Sequence, residues 1–475
     1  MSASEAESGF NLAGHLTTRM GLGRAARMTL DLMERNRFPV RIVDVHFRGL
    51  DRIPLDSGAQ AGDLTDLPYS ATVLHMNPEQ LVDGLLVWDP ALLGALARRY
   101  LVTVPYWELP VLPSYWQDSL LGMDEILAPS HYIEGTLNRA FASQPSAPRV
   151  THFAQAVRPP DNVAPARERW FGGRSATTVF LASLDLVSDP ARKNPQGVVA
   201  AFQAAAEQRD DLTLVLKMGY PQAVSSNPEY GRLLDAVRSD PRIVVIEESL
   251  GEKDMWSLLA SADAYVSLHR AEGLGLGLME SMALGTPVAG TAWSGNTDFM
   301  SADDSILVPY TLVPVAAHGA PLYRELSGKT EWAEPSLTDA AKAIRALGDS
   351  AELRARLGLA ARASSERRWQ QYLLAEPLRA VLDSAESFDL ESPARSERIS
   401  RLQREVRRRA RTARLGDYRA SSMTERVKRN VVHALRIVGL KPPAPDEEIR
   451  DNQSGPLQVV DPFDLPTNSE GVECK

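Results

Sequence analysis

Several features are scarce in this sequence, and each absence restricts what the protein can be. It contains one cysteine, Cys474, so an intrachain disulfide cannot form and a reducing compartment is expected. No run of about 18 apolar residues is present. The N-terminal MSASEAESGF also lacks the basic and apolar regions of a signal peptide. The sequence therefore predicts a cytoplasmic protein without a membrane-spanning helix.

Basic residues are fewer than acidic ones in this chain, 52 against 61. The net charge of -9 at pH 7 disfavours nucleic acid as a general partner. Between residues 395 and 441, however, fifteen Arg and Lys outnumber four acidic residues. Apolar residues recur there at helical spacing, namely Ile399, Leu402 and Val406, then Val427, Val431, Leu435 and Val438. Two interpretations remain open: a basic amphipathic helix on an anionic membrane surface, or a charged helical hairpin docked on this protein or on a second copy.

The length and the pattern of the chain indicate several parts. At 475 residues the chain is too long for one hydrophobic core, so two domains and an appendage are expected. Strand-like and helix-like runs alternate in residues 1–160 and again in residues 161–362, around a proline-rich linker at 158–165. Such alternation predicts parallel, doubly wound sheets. Residues 391–441 form the basic helical tail, and residues 442–475, which are acidic and proline-rich, are predicted to be disordered.

The most informative segment covers residues 267–298. Two glutamates, Glu272 and Glu280, are separated by seven residues and flank the glycine-spaced run 273–277. A strand pattern precedes this run and a helix pattern follows it, so the glycines occupy a strand-to-helix turn. Such a turn directs free backbone N–H groups and the positive end of the helix dipole towards a bound anion. The spacing therefore predicts a sugar-nucleotide site, in which both carboxylates accept hydrogen bonds from sugar hydroxyls.

This segment resembles the E-x7-E motif of the retaining glycosyltransferases of family 4, which have the GT-B fold. The resemblance continues in residues 283–288, which match the family's A-x-G-x-P-V step, and upstream in residues 244–268. It covers about residues 8–387, and its last part, within segment 363–390, is similar to the helix that returns to the first domain. It implies an α/β protein of GT-B fold, in which two doubly wound, Rossmann-like domains face each other across a cleft. The first would lie on the acceptor side and the second would bind the nucleotide sugar, followed by a helical and disordered C-terminal tail.

The resemblance also implies roles for individual residues. Glu272 would hold the donor sugar, Glu280 the ribose, and Lys193 with Arg192 the diphosphate, so Glu272, Lys193 and Arg192 form the expected catalytic set. The family's usual arginine, five or six residues before the lysine, is missing here. Arg192 is expected to replace it, because a guanidinium grips phosphate oxygens bidentately. Further donor contacts are expected from Gly273, Leu274, Gly275, Gly21, Gly23 and Lys217.

Polar and aromatic residues that follow strands of the first domain should also face the cleft. His75 follows one strand, and Trp107 and Glu108 follow the next, where many members of the family present a histidine that contacts the donor sugar. These three residues are therefore expected on the acceptor or sugar side. For Trp107, packing in the core is an equal alternative.

Two functions from other classes compete with sugar transfer. The run from Gly21 to Ala26 formally matches the dinucleotide fingerprint G-x-G-x-x-A, and Asp44 follows at a strand end about twenty residues on. This favours an NAD-dependent oxidoreductase, although that fingerprint needs its first glycine at the tip of the strand and residues 15–20 intervene. The second alternative is a GT-B module that has lost activity and only binds a partner.

The resemblance finally implies a reaction and its ligands. Family 4 enzymes transfer a hexose with retention of configuration and typically without a metal, and no Asp-x-Asp motif follows a strand in the relevant positions here. The motif, with SLHR before its first glutamate and SGNTDFM after its last, is most similar to mannosyltransferases. GDP-mannose is thus the expected donor, and a glycan or lipid-linked acceptor in cell-envelope polysaccharide synthesis the expected acceptor. No cofactor is expected. A homo-oligomer and peripheral attachment to the inner face of a membrane are left open.

Overall fold

The computed structural model of the chain describes residues 6–45, 53, 55, 63–86, 89, 91–185, 188–219, 228–318, 321–326 and 328–414. Two six-stranded parallel sheets form an N-terminal and a C-terminal domain. The predicted α/β class, with two doubly wound parallel-sheet domains, is confirmed. The predicted acidic tail 442–475, Cys474 and the second apolar run of the basic tail lie outside the described residues.

The N-terminal sheet is parallel throughout. Its strands are β1 (Glu7–Gly14), β2 (Val40–Asp44), β3 (Tyr69–His75), β4 (Tyr100–Thr103), β5 (Glu125–Ala128) and β6 (Arg149–His152). They are arranged in the order β2-β1-β3-β4-β5-β6. The helices of this domain are α1 (Gly21–Arg35), α2 (Pro78–Leu81), α3 (Ala91–Leu96), α4 (Ser114–Leu120) and α5 (His131–Phe141). Phe10 and Leu12 of β1 pack with α1 on one face, whereas Ala13 packs with α3 on the other, so both faces of the sheet are covered.

The C-terminal sheet repeats this design. Its strands are β7 (Thr178–Asp185), β8 (Leu212–Gly219), β9 (Ile243–Ile246), β10 (Ala264–Ser267), β11 (Val288–Thr291) and β12 (Ile306–Val308), in the order β12-β11-β10-β7-β8-β9. The helices are α6 (Arg167–Phe171), α7 (Pro190–Lys193), α8 (Pro195–Ala205), α9 (Pro228–Arg238), α10 (Glu252–Ser261), α11 (Leu276–Leu284) and α12 (Leu337–Asp349). Phe180 of β7 packs with α8 and α12, and its neighbour Leu181 packs with α10 and α11. An antiparallel hairpin of β13 (Tyr310–Pro314) and β14 (Glu331–Pro335) is attached.

Two helices carry the chain back to the N-terminal domain. Helix α13 (Ala351–Tyr372) starts against the C-terminal domain, and its end, with Trp369, packs in the N-terminal core. Helix α14 (Glu376–Glu386) follows after a left-handed residue, Ala375 with φ 52°, and buries Leu378 in the same core. The predicted return segment 363–390 therefore corresponds to the end of α13 together with α14.

The first part of the basic tail is a helix docked on the N-terminal domain. Helix α15 (Pro393–Arg414) buries Leu402 and Val406 against that domain. Arg395 is 1% exposed, and its Nη1 donates to Asp124 Oδ2 at 2.6 Å. Of the two interpretations of the basic tail, docking on this protein therefore holds for α15. The apolar stripe that would contact a membrane is already covered by the N-terminal domain. Within the described residues, no helix combines the length and the apolar character needed to span a bilayer.

Candidate functional site

A cavity of about 740 Å³ lies between the two domains, at the carboxyl ends of their strands. This is where ligands bind in doubly wound sheets. Predicted site residues from both domains line it, namely Gly21, Trp107, Glu108, Arg192, Lys193, Lys217, Glu272, Gly273, Leu274, Gly275 and Glu280. The fold therefore brings together most of the residues that the sequence singled out.

The glycine turn connects β10 to α11 as predicted. Gly275 precedes the first helical residue with φ +95°, a conformation that residues with a Cβ rarely adopt. Among the residues that the structure describes, no side chain caps the helix, so backbone N–H groups of its first turn can bind a ligand in the cavity. A bound diphosphate would meet both these donors and the positive end of the helix dipole.

Glu272 lies at the centre of the predicted catalytic set. Its carboxylate accepts a hydrogen bond from Lys193 Nζ, and its Oε2 lies 3.2 Å from Arg192 Nη1. Its backbone N–H donates to Ser294 Oγ at 2.8 Å, which holds the loop. Burial by itself raises the pKa of Glu272, but the charges of Lys193 and Arg192 outweigh it and hold the pKa at about 2. Glu272 is therefore an ionised hydrogen-bond acceptor over the whole neutral range.

Two capping residues position Lys193. Asp189 caps the short helix α7 and accepts hydrogen bonds from the backbone N–H groups of Ala191 and Arg192, at 2.9 and 3.3 Å. Asn194 caps α8, and its Nδ2 donates to Leu268 O at 2.9 Å in the loop that leads to Glu272. The turn with the predicted diphosphate cation is thus joined to the glutamate loop by hydrogen bonds.

Arg192 occupies a different position from the one expected of a phosphate ligand. Its side chain is 3% exposed, and its Nη1 donates to Ala271 O at 2.8 Å. Its Nη2 lies 3.6 Å from Glu108 Oε1 of the N-terminal domain. Because carboxylates of both domains engage this guanidinium, it positions Glu272 and Glu108, and Lys193 is the more accessible cation.

Glu280 pairs with a residue that sequence reasoning missed. Its Oε1 lies 3.3 Å from Nε of Arg24, in the first turn of α1, and Arg24 Nη1 is also 2.6 Å from Glu252 Oε1. Burial raises the pKa of Glu280, and the charge of Arg24 opposes this shift. The position of Arg24 beside Gly23 was the only signal in the sequence. A ribose at Glu280 would therefore contact residues of both domains.

Two of the predicted residues do not line the cavity. A Cβ at Gly23 would lie 2.3 Å from Thr18 O, so this glycine allows α1 to approach the preceding loop and does not face the ligand. His75 is fully buried, packs against the ring of Tyr106 at 5.7 Å, and has its pKa lowered by burial to about 3. The expectation that His75 faces the cleft is therefore wrong. It ends β3 with an inward side chain, and Asn77, two residues later, lines the cavity instead.

Trp107 and Glu108 have separate roles in the cavity wall. Trp107 is 7% exposed, donates from Nε1 to Val111 O at 2.9 Å, and packs on Trp116 with ring centroids 4.8 Å apart. It is thus mainly a packing residue. Glu108 Oε2 accepts a hydrogen bond from the hydroxyl of Tyr323 at 3.2 Å, and Tyr323 is a second lining residue that sequence reasoning missed.

The dinucleotide fingerprint lacks its required geometry. Strand β1 ends at Gly14 and α1 begins at Gly21, so a loop separates the first glycine from the strand. The carboxylate of Asp44 accepts hydrogen bonds from Thr17, from N at 3.0 Å and from Oγ1 at 2.6 Å. The acidic side chain that would bind the ribose of NAD is therefore engaged within the protein.

Among the described residues, one group has the donor atoms of a metal site. Single ligand atoms of His131, His152 and Asp298 lie within 4.8 Å of one another. This group lines a second cavity, separate from the one that contains Glu272. The imidazoles of His131 and His152 are stacked with centroids 3.6 Å apart.

Comparisons with known proteins agree with this description. Residues 177–317 match a family model described as "Glycosyl transferases group 1", so the match covers most of the C-terminal domain. The comparison with curated proteins finds no match. Among solved structures, the chain is similar to sucrose-phosphate synthase from Thermosynechococcus elongatus, with 16% identity, a TM-score of 0.58, and coverage of 80% of this chain and 100% of that one.

Two further structures are similar. Anabaena HepE, in complex with UDP and glucose, has 13% identity and a TM-score of 0.52, over 78% of this chain and 100% of HepE. The pneumococcal O-GlcNAc transferase GtfA, in complex with UDP and GlcNAc, has 13% identity and a TM-score of 0.47, over 67% of this chain and 57% of GtfA. This chain thus spans little more than half the length of GtfA. The likenesses to the synthase and to HepE show the GT-B fold, and the family match supports a glycosyltransferase.

Proposed function

We propose that the protein is a retaining glycosyltransferase that moves a hexose from a nucleotide diphosphate sugar to a hydroxyl of a glycan or lipid-linked acceptor. One observation carries the proposal: Glu272, Lys193 and Glu280 surround one cavity between the domains, at the N-terminus of α11. The family match over residues 177–317 supports it. The motif favours GDP-mannose as donor and cell-envelope polysaccharide synthesis as the context, whereas HepE, described with UDP and glucose, makes UDP-glucose the second donor to test.

The proposed reaction uses the charges of this cavity. The bond between the anomeric carbon and the diphosphate oxygen breaks while the acceptor oxygen bonds to that carbon on the same face. The acceptor's proton passes to the departing phosphate oxygen. Lys193 and the first turn of α11 stabilise the negative charge that grows on the diphosphate, so the proposal requires no metal. Ionised Glu272 accepts hydrogen bonds from the donor sugar and holds it in position.

A donor screen tests the proposal directly. GDP-mannose, UDP-glucose, UDP-N-acetylglucosamine and NAD are compared for thermal stabilisation of the protein and for slow hydrolysis of the donor. We expect one nucleotide sugar to stabilise the protein and to be hydrolysed. Stabilisation by NAD alone would favour the oxidoreductase, and binding of a nucleotide sugar without any turnover would favour the inactive module.

The variant Glu280→Ala tests the placement of the donor. A ribose contact exists in the ground state and in the transition state alike, so its loss should raise the donor KM more than it lowers kcat. Initial rates at several donor concentrations measure both constants. Glu207→Ala, at an exposed position of the same domain, is the control. A lower kcat with an unchanged donor KM would contradict the ribose role.

A further inference from the structure

The cavity extends beyond the predicted donor residues to a second end in the N-terminal domain. Glu79, Asp83 and Tyr115 line this end, together with Arg409 of α15. Helix α15 lies outside both the matched segment 177–317 and the resemblance to family 4. A segment outside the family match thus contributes a side chain to the cleft.

Glu79 has an unused hydrogen-bonding atom in this part of the cavity. Its Oε2 is buried and has no hydrogen-bond partner among the described residues. Burial raises the pKa of Glu79 to about 7, and the charge of nearby Asp83 adds to the shift. A buried polar oxygen without a partner is unfavourable, so the position is suited to a ligand hydroxyl, which donates to the ionised carboxylate and accepts from the neutral carboxyl.

Arg409 connects the walls of this part of the cavity. Its Nη1 lies 3.4 Å from Asp83 Oδ2, and its guanidinium lies over the ring of Tyr115, 5.1 Å from the centroid. Its Nε donates to Glu405 Oε1 at 2.8 Å, within α15 itself. Because Leu402 and Arg395 anchor α15 to the N-terminal domain, the helix presents Arg409 at a defined position.

This end of the cavity adjoins the predicted reaction centre. Glu108 Oε1 lies 3.6 Å from Nη2 of Arg192, and Nη1 of the same arginine lies 3.2 Å from Glu272 Oε2. The charge of Glu108 also acts on Glu79, which raises the pKa of Glu79 further. A molecule beside Glu79 would therefore lie next to the donor sugar, where an acceptor must bind.

We infer that Glu79, Asp83 and Tyr115 form an acceptor subsite for an uncharged, hydroxyl-rich sugar, and that Arg409 of α15 positions Asp83 and Tyr115. This inference rests on the proposed function. Carboxylate oxygens accept hydrogen bonds from sugar hydroxyls, and an aromatic ring offers an apolar face for the C–H groups of a sugar. The cation of this set, Arg409, is already paired with Asp83 and Glu405, so it offers an anionic acceptor little attraction. Arg409 is a positioning residue, since Asp83 and Glu405 already engage its guanidinium.

The test uses simple glycosides as acceptor probes. Methyl α-mannoside, methyl β-glucoside and methyl β-N-acetylglucosaminide are titrated onto the full-length protein in the presence of UDP or GDP, and binding is followed by saturation-transfer NMR. We expect at least one glycoside to bind. In Arg409→Gln its affinity should fall about tenfold, as for the loss of one or two hydrogen bonds, while nucleotide affinity is unchanged.

A matched control lies on the same helix. Arg404 is 60% exposed and pairs with Glu397, so Arg404→Gln removes an identical charge away from the cavity and should leave glycoside binding unchanged. If Arg409→Gln does not fold, Asp83→Asn provides the same comparison. Wild-type glycoside affinity in folded Arg409→Gln or Asp83→Asn would overturn the inference, and so would nucleotide binding without binding of any glycoside. Failure of the wild type to bind any nucleotide would instead overturn the proposed function.

Discussion

At the scale of single residues, two cations beside Glu272 differ in how they are held. Lys193 is 19% exposed, whereas Arg192 is 3% exposed and bridges both domains. Of these two cations, Lys193 is therefore the one that a ligand in the cavity can reach.

The variant Lys193→Ala is expected to slow transfer by about a hundredfold or more, because it removes a preorganised charge that faces the leaving diphosphate. Steady-state turnover with the donor found in the screen measures the effect. Lys329→Ala, which removes an exposed lysine of the same domain, should retain wild-type turnover. Near-normal turnover of Lys193→Ala would show that this lysine is only a structural partner of Glu272.

The raised pKa of Glu79 predicts how the stability of the folded protein changes with pH. Burial raises the pKa of Glu79 from 4.5 to about 7, so the folded state favours the neutral carboxyl. Ionisation of Glu79 therefore opposes folding, and this penalty is absent at low pH and develops as the pH rises from about 4.5 to about 7. We expect Glu79→Gln to be more stable than the wild type by up to about 3 kcal/mol at pH 8, and by little at pH 5.

Urea unfolding of Glu79→Gln and wild type at both pH values measures this difference. Glu207→Gln, an exchange at an exposed glutamate, should show no change with pH relative to the wild type. A stability difference that is equal at pH 5 and pH 8 would mean that Glu79 titrates like an ordinary carboxyl.

At the scale of elements, helix α13, which leads back to the N-terminal domain, packs against the end of α11, the helix of the predicted donor site. Gly285 ends α11 with φ +81°, and α13 approaches it so closely that a Cβ at Gly358 would lie 2.2 Å from Gly285 O. The atom that this Cβ would meet is a backbone oxygen, which cannot move aside by a change of rotamer as a side chain can. This contact therefore fixes the position of the helix that contains Glu280.

Gly358→Ala is expected to destabilise the protein by about 1–3 kcal/mol, because α13 must move away from α11. Gly231→Ala, in helix α9, is the matched control, since a Cβ there meets no atom of the described residues within 4 Å. That exchange should stabilise the helix by about 0.5–1 kcal/mol. Chemical denaturation distinguishes the two, and equal stabilities would contradict the close approach.

At the scale of the whole molecule, α15 acts as part of the N-terminal domain. A chain that ends at residue 414 retains α15 and its contacts with the N-terminal domain, and is the reference for this comparison. A chain that ends at residue 391 loses the contacts of Leu402 and both arginine partners of buried Asp124, Arg395 and Arg398, and should be less stable by about 3 kcal/mol or more. Thermal unfolding of the two truncated proteins tests this prediction.

The same truncations address the membrane alternative. The apolar face of α15 is covered, so any binding of the full-length protein to anionic vesicles should depend on residues beyond 414 and should weaken with salt. Equal vesicle binding of the full-length protein and the chain ending at 414 would mean that α15 undocks at the surface.

Local sequence patterns determined the elements and much of the site. Helix α11 follows the glycine-spaced run as predicted, and Gly275 and Gly285 adopt the left-handed conformations that start and end it. The alternation of β7, α8, β8 and their successors predicted a parallel sheet, and parallel strands place their carboxyl ends at one edge. For this reason Glu272, Lys193 and Lys217 could be assigned to one cavity from spacing and resemblance alone.

Only the tertiary structure decided which surfaces meet across the chain. Arg24 and Glu280 are 256 residues apart, and their contact depends on how the domains face each other. The apolar stripe of α15 was visible in the sequence, but periodicity shows only that a face is apolar, not what covers it. Burial of that stripe is favourable both in a membrane and against a protein surface, so the pattern alone does not distinguish them. The docking of Leu402, and with it the entry of Arg409 into the cleft, follows from the shape of the folded N-terminal domain.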